Sequence, residues 1–195
     1  MGRIKSALEI ALEKTENVKS DKTGIEQFDA RQRGKKLANA FLAGEANLAD
    51  ELKNTPAGQL ESLKQGIFDV LITQIALPTA KDDPKRAETV GNGLSAVVKS
   101  SRFPALYKQL TQILSQYVQE AKQYEQAIRQ QFSQKIRQKE EELSRRMGRE
   151  VRLDPFQDPE FVAFYNQHMN ALKGNYEAAI EQVKEETRRM FEEKD

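Results

Sequence analysis

"RRMGREVRLDPFQDPEF", residues 145–161, interrupts the longest helical pattern in the chain with two prolines, a glycine and charges of both signs. Upstream of it, apolar residues recur in steps of three and four: Phe103, Leu106, Leu110, Leu114, Tyr117, Ala121, Tyr124, Ile128, Phe132, Ile136, Leu143 and Met147. Downstream, Phe161, Leu172 and Val183 lie eleven apart, as do Tyr165, Tyr176 and Thr187, and His168, Ala179 and Met190. The upstream arm carries the same interval in Leu110, Ala121, Phe132 and Leu143. An 11-residue repeat corresponds to about 3.67 residues per turn and keeps an apolar seam nearly straight along a helix. Two such arms joined by a short interruption predict a long, coiled-coil-like antiparallel hairpin over 103–195, with its tip at about 148–159. At about 1.5 Å per residue the arms would be roughly 65 Å and 50 Å long.

Within the tip, Gly148 reads as a helix stop, and Asp158, Pro159 and Glu160 as a helix start in the order cap, proline, acid. A minimal turn does not require three apolar side chains, yet Val151, Leu153 and Phe156 sit among Arg149, Arg152, Asp154 and Asp158. Either the three cap the end of the seam, the favoured reading, or they meet a partner. This makes Arg149, Val151, Arg152, Leu153, Asp154, Phe156 and Asp158 the candidate partner-binding tip.

Ahead of the hairpin, residues 1–102 read as a helical bundle, so the predicted fold is all-α in two parts. Ile4, Ala7, Leu8, Ala11, Leu12, Thr15 and Val18 form one helical stripe over 3–19. Thr23 and Glu26 form a capping-box signature for a second helix, which would bury Ile25, Phe28, Leu37 and Phe41 and end near Gly44. A short helix fits 45–53. Thr55 followed by Pro56 opens another helix, burying Leu60, Leu63, Ile67, Phe68, Leu71 and Ile75. Its stretch "IFDVLITQIAL" is β-branched, but no partner strand is visible elsewhere, so it reads as a buried helix. Asp83-Pro84 repeats the start signal for a helix to about residue 100, which the "GNG" at 91–93 would break or kink.

Bulk composition narrows the function. With 31 basic and 30 acidic residues the net charge is +1, which gives no long-range steering toward nucleic acid or an anionic membrane. The chain contains no Cys, so disulfides and thiolate chemistry are excluded. No apolar run is long enough to span a membrane, and the amphipathic opening favours a cytoplasmic protein. Gly2 and Ser6 match the short myristoylation pattern, which applies only in a eukaryotic cell.

No phosphate loop, nucleophile elbow or metal-binding His pair is present, so neither catalysis nor a cofactor is expected. The one histidine, His168, falls on the seam and reads as a packing residue, as do most of the tyrosines. "RQRGKK" at 31–36 gathers Arg31, Arg33, Lys35 and Lys36 as a candidate basic patch, with a solvated helix face as its plainer reading. It lacks the interleaved aromatics that single-strand binders use.

The opening "MGRIKSALEIALEKT" resembles the start of a group of uncharacterised bacterial proteins of similar length. That resemblance implies a bacterial cytoplasmic protein and brings no activity or ligand with it. The hairpin also resembles, more loosely, factors that insert an acid-tipped helical hairpin into the secondary channel of RNA polymerase, with Asp154 and Asp158 as the tip acids. Such factors add a β or zinc-bearing part that is missing here. The leading expectation is a non-enzymatic interaction or scaffold protein that self-associates through the hairpin or binds another protein. The alternative is a nucleic-acid- or polymerase-associated factor acting through residues 31–36 or the tip.

Overall fold

A computed structural model describes the backbone of residues 7–79 and 85–193 and the side chains of 22–79 and 86–193. All its regular structure is helical: α1 (Ala7–Leu42), α2 (Leu48–Asn54), α3 (Ala57–Thr73), α4 (Lys85–Val97), α5 (Phe103–Met147), a 3₁₀ turn (Pro155–Gln157) and α6 (Pro159–Glu192). The chain divides into two compact units, one of Met1–Ile75, Asp83–Phe103 and Arg189–Asp195, the other of Ala76–Asp82 and Pro104–Arg188. The bundle and hairpin expected as 1–102 and 103–195 are therefore interleaved, because the last turn of α6 belongs with α1–α4.

In the first unit α1 is one helix, not the two predicted. Helical geometry continues through Thr23, so the capping-box signature there opens nothing. The expected end is right: Gly44, at φ +77°, closes α1, with the Gly44 N–H donating to Phe41 O at 3.0 Å and the Glu45 N–H to Ala40 O at 2.8 Å. This paired arrangement satisfies the last carbonyls, and the left-handed residue in it favours glycine. The predicted buried face needs correcting. Ala30, Gly34 and Ala38 are buried, while Ile25 and Phe28 are 61% and 62% exposed.

Small residues face inward because α1 and α3 meet backbone to backbone. A methyl group on Gly34 would lie 2.2 Å from Leu63 O, and one on Gly66 would lie 2.0 Å from Arg31 O. The helices sit closer than larger side chains would allow. Around this crossing, Leu63, Ile67, Phe68, Leu71, Val90, Leu94 and Val97 are buried. The "GNG" does not break α4, and Gly93 instead admits Leu71 and Phe41, whose atoms lie 2.7 Å from where its Cβ would stand. Thr55 does not cap α3: its hydroxyl donates to Glu51 O at 2.7 Å, closing α2, and Pro56 takes the capping position without a side-chain bond. The end of α6 completes this unit, with Phe191 stacked on Phe68 at 4.1 Å and Glu193 paired with Arg102 at 2.7 Å. Asp83-Pro84, Gly2, Ser6 and Ile4 lie outside the described residues.

The second unit is the hairpin. Phe161, Leu172 and Val183, the eleven-residue series, are all buried along α6, Phe161 packing with Ile128, Phe132 and Ile136 of α5 and Leu172 with Tyr117, while Leu110 and Leu114 of α5 are buried as well. Two seam assignments fail, since Tyr124 is 45% and Met147 52% exposed, and Tyr107 is buried where Leu106 was expected. The seam holds two clusters. Tyr117, Met169 and Leu172 gather with Leu77, Tyr165 and Tyr176; nearer the tip, Ile128, Phe132, Ile136 and Phe161 gather with Leu153 and Phe164. Among the described residues no helix is long and apolar enough to cross a membrane.

Candidate interaction site at the hairpin tip

The tip is built by local rules that leave little of it loose. Gly148, at φ +63°, turns the chain off the end of α5. The returning segment is then stitched to the helix it has just left. The Val151 N–H donates to Ser144 Oγ at 2.9 Å, and the Leu153 N–H to Glu140 Oε1 at 2.9 Å. Ser144 and Glu140 are one helical turn apart, so they face the same side and meet alternate amides of an extended segment.

Both tip acids singled out from sequence are occupied. Asp154 accepts from the Phe156 N–H at 3.0 Å and caps the 3₁₀ turn. Asp158 is buried and accepts from the amides of Glu160 at 2.9 Å and Phe161 at 3.3 Å, capping α6. It also pairs with Lys139 of α5, and Glu160 pairs with Lys135. The Lys139 hydrogen bond, aided by the two amides, holds the Asp158 carboxyl below its usual range against the opposing effect of burial.

The three apolar residues divide. Leu153 packs on the Ile128, Phe132, Ile136 and Phe161 cluster. Phe156 sets its ring edge-on to Phe161 at 5.2 Å and Tyr165 at 5.1 Å, with the Arg129 guanidinium 5.1 Å from its ring centre. Its other side remains open, leaving it 41% exposed. Val151 is half-buried and, with Arg137, Ser144 and Arg152, lines an open recess between the returning segment and α5.

What faces outward is cationic and partly apolar. Glu141, Glu142 and Glu150 pair with Arg145, Arg146 and Arg152 on the surface. Arg137 and Arg149 are exposed and have no carboxylate within ion-pair distance among the described residues. Met147 stands exposed between them in sequence. Sequence reading missed Lys139, Lys135, Glu140 and Ser144, which hold the tip in place. Fixing the antiparallel register would have placed Lys139 opposite Asp158, whereas periodicity alone could not.

The basic cluster is less uniform than its composition implies. Arg31 grips Asp69 of α3 through Nε at 2.9 Å and Nη2 at 2.7 Å, and Gln65 donates to the same carboxylate at 2.9 Å. Arg33 reaches Thr55 Oγ at 3.2 Å. Lys35 is half-buried beside the α1–α3 crossing, and Lys36 is exposed. His168, on the seam, is half-buried with its ring 4.2 Å from that of Phe164. Burial raises the pKa of Tyr117, Tyr165 and Tyr176, with nearby carboxylates adding to the effect. Among the described residues, no group of three or more His, Asp or Glu side chains is placed to hold a metal ion.

Comparison with curated proteins and with solved structures returns no match. A family model does match residues 49–189, which take in the tip and nearly all of both arms, and the chain belongs to that family, a family of unknown function (DUF6657).

Proposed function

We propose that the protein is a non-enzymatic helical interaction protein that presents the α5–α6 tip to an acidic surface on a partner protein. One observation carries the reading. Asp154 and Asp158, with Glu140 and Glu160, are held by internal donors, while Arg137, Arg149 and Met147 stand free at the same end. Charge-assisted bonds from arginine and contact with an exposed thioether are a common basis for protein recognition. A tip with its acids committed is a poor match to the acid-tipped hairpins of polymerase-binding factors. Along the seam, the apolar side chains are used within the hairpin, so self-association has little apolar surface to use there. The nucleic-acid reading is weaker, because Arg31 and Arg33 are drawn into contacts with Asp69 and Thr55. A bacterial cytoplasmic setting is carried forward from the opening sequence as part of this proposal.

The test is affinity capture with the full chain against a variant carrying Arg137→Glu, Met147→Ser and Arg149→Glu. These three side chains make no contact that holds the tip, so helicity and melting should stay unchanged while one or more partners disappear. An identical set of captured proteins would refute the proposal. Capture abolished by nuclease would indicate nucleic acid instead.

A further inference from the structure

The recess between the returning segment and α5 has a volume of about 590 Å³. That lies within the roughly 300–1,000 Å³ of ordinary ligand sites, so it admits a few side chains and not a duplex or a membrane. Three arginines and three glutamates line it together with Ser144 and Val151. With the two signs in equal number, the recess has no net charge to gather polyanions. Its selectivity lies in which of these groups the fold leaves without a partner.

Glu141 pairs with Arg145 at 3.6 Å, and Glu150 with Arg152 at 3.2 Å. Glu140 accepts from the Leu153 N–H at 2.9 Å, and Ser144 from the Val151 N–H at 2.9 Å. Arg137 is different. On a helix its natural carboxylates are those three and four positions on, Glu140 and Glu141. Both are engaged elsewhere. Arg137 is exposed and, among the described residues, makes neither a hydrogen bond nor an ion pair. One guanidinium thus lines the recess with its donors open. Val151, half-buried, adds an aliphatic surface to the same recess.

A planar carboxylate accepts two parallel bonds from one guanidinium and carries a single charge. A phosphate monoester carries about −1.5 to −2 at neutral pH. In this recess it would stand among three glutamates with one unpaired cation to offset it. In an extended peptide, side chains two positions apart point the same way, roughly 6.5 Å from one another. Building on the tip as a protein-binding surface, we infer that the recess takes an extended acidic segment of the partner. An Asp or Glu carboxylate of that segment sits on Arg137, and an aliphatic side chain two residues away rests against Val151.

Panning a displayed library of random octapeptides on the full chain tests this. Enriched sequences should share an acid with Val, Ile or Leu two positions before or after it. A synthetic octapeptide from that set should bind Arg137→Gln roughly tenfold to a hundredfold more weakly than wild type. Its affinity for Arg149→Gln, outside the recess, should stay unchanged. Exchanging the peptide's acid for the matching amide should cost as much as Arg137→Gln, and phosphoserine in its place should weaken binding. Arg137 holds no contact in the fold, so Arg137→Gln should melt as wild type does. Selection without the acid-and-aliphatic pattern, equal losses at Arg137→Gln and Arg149→Gln, or tighter binding of the phosphoserine peptide would each overturn the inference. Equal losses would reject the recess and leave the acidic-surface reading of the tip standing, whereas partner capture unchanged by the triple variant would reject both.

Discussion

Replacing Gly34 by alanine adds one methyl group where α1 and α3 touch backbone to backbone, and its cost can be worked out. The new carbon would stand 2.2 Å from Leu63 O and 3.1 Å from Ile67 N. A carbon in ordinary close contact with a carbonyl oxygen sits at about 3.3 Å, so the crossing must open by roughly 1 Å. Neither neighbour can rotate aside, since both are backbone atoms of a helix, and the penalty falls at the upper end of overpacking, about 3 kcal/mol. Against this, alanine is the better helix former by about 1 kcal/mol. The net expectation is a loss of about 2 kcal/mol, equivalent to roughly 4–8 °C in melting temperature for a chain of this size. Gly66→Ala meets Arg31 O at 2.0 Å and should cost a similar amount. The double variant should cost less than the sum, because the separation forced by one methyl group makes room for the other. Gly24 in the same helix and Gly174 in α6 have nothing within 4 Å. Alanine at either should stabilise by about 0.5–1 kcal/mol. Urea unfolding followed by circular dichroism, with amide exchange on α3 peptides, reads all five variants. If Gly34→Ala stabilised the protein as Gly24→Ala does, the close crossing would be refuted.

The tip offers three further tests. Phe161→Ala, at a site with no exposure, should cost about 3–5 kcal/mol, whereas Phe156→Ala, with one side of its ring already in water, should cost less than half as much; unfolding midpoints that reversed this order would contradict the described packing. Asp158→Ala removes the cap of α6 and should cost about 1–2 kcal/mol, with faster amide exchange at Glu160 and Phe161 as its local sign. Asp158 has a folded pKa below its unfolded one, so its contribution is present above the ordinary carboxylate range and fades as pH falls through the depressed folded value. The tip amides should therefore lose protection only in acid, and Asp158→Asn should remove that pH dependence. In the first unit, Arg31→Ala should cost about 1 kcal/mol through the two bonds to a partly buried Asp69, while Lys36→Ala should stay within about 0.5 kcal/mol.

The long-range plan of the hairpin was legible because it depends on periodicity, which a sequence displays directly. Phe161, Leu172 and Val183 are buried where an eleven-residue interval puts them, and Gly148 and Asp158 end and begin helices as their chemistry requires. The α1–α3 crossing was not legible, for a related reason. Its contact residues are Ala30, Gly34 and Ala38, which carry little or no apolar side chain, so a pattern built on large hydrophobics passes over them. Ile25 and Phe28 then drew the reading to the opposite face. Thr23 with Glu26 looked like a helix start because a capping box is a local signal, and helix continuity can override it.

The same distinction separates the exposed residues of the tip from those of α1. At the tip, the resemblance to acid-tipped hairpins implied Asp154 and Asp158 held out to a ligand, yet each has a nearer use: Asp154 and Asp158 satisfy amides that a turn and a helix start leave open, and Glu140 satisfies another on the returning segment. Local backbone demand takes up the carboxylates, and the arginines remain because a cation cannot satisfy an orphan N–H. On α1 the logic reverses. Glycine and alanine supply the internal contact through close approach, which leaves the larger Ile25 and Phe28 on the outward side. In both places the residues left at the surface are those that the fold's own backbone contacts do not use: arginines at the tip, Ile25 and Phe28 on α1.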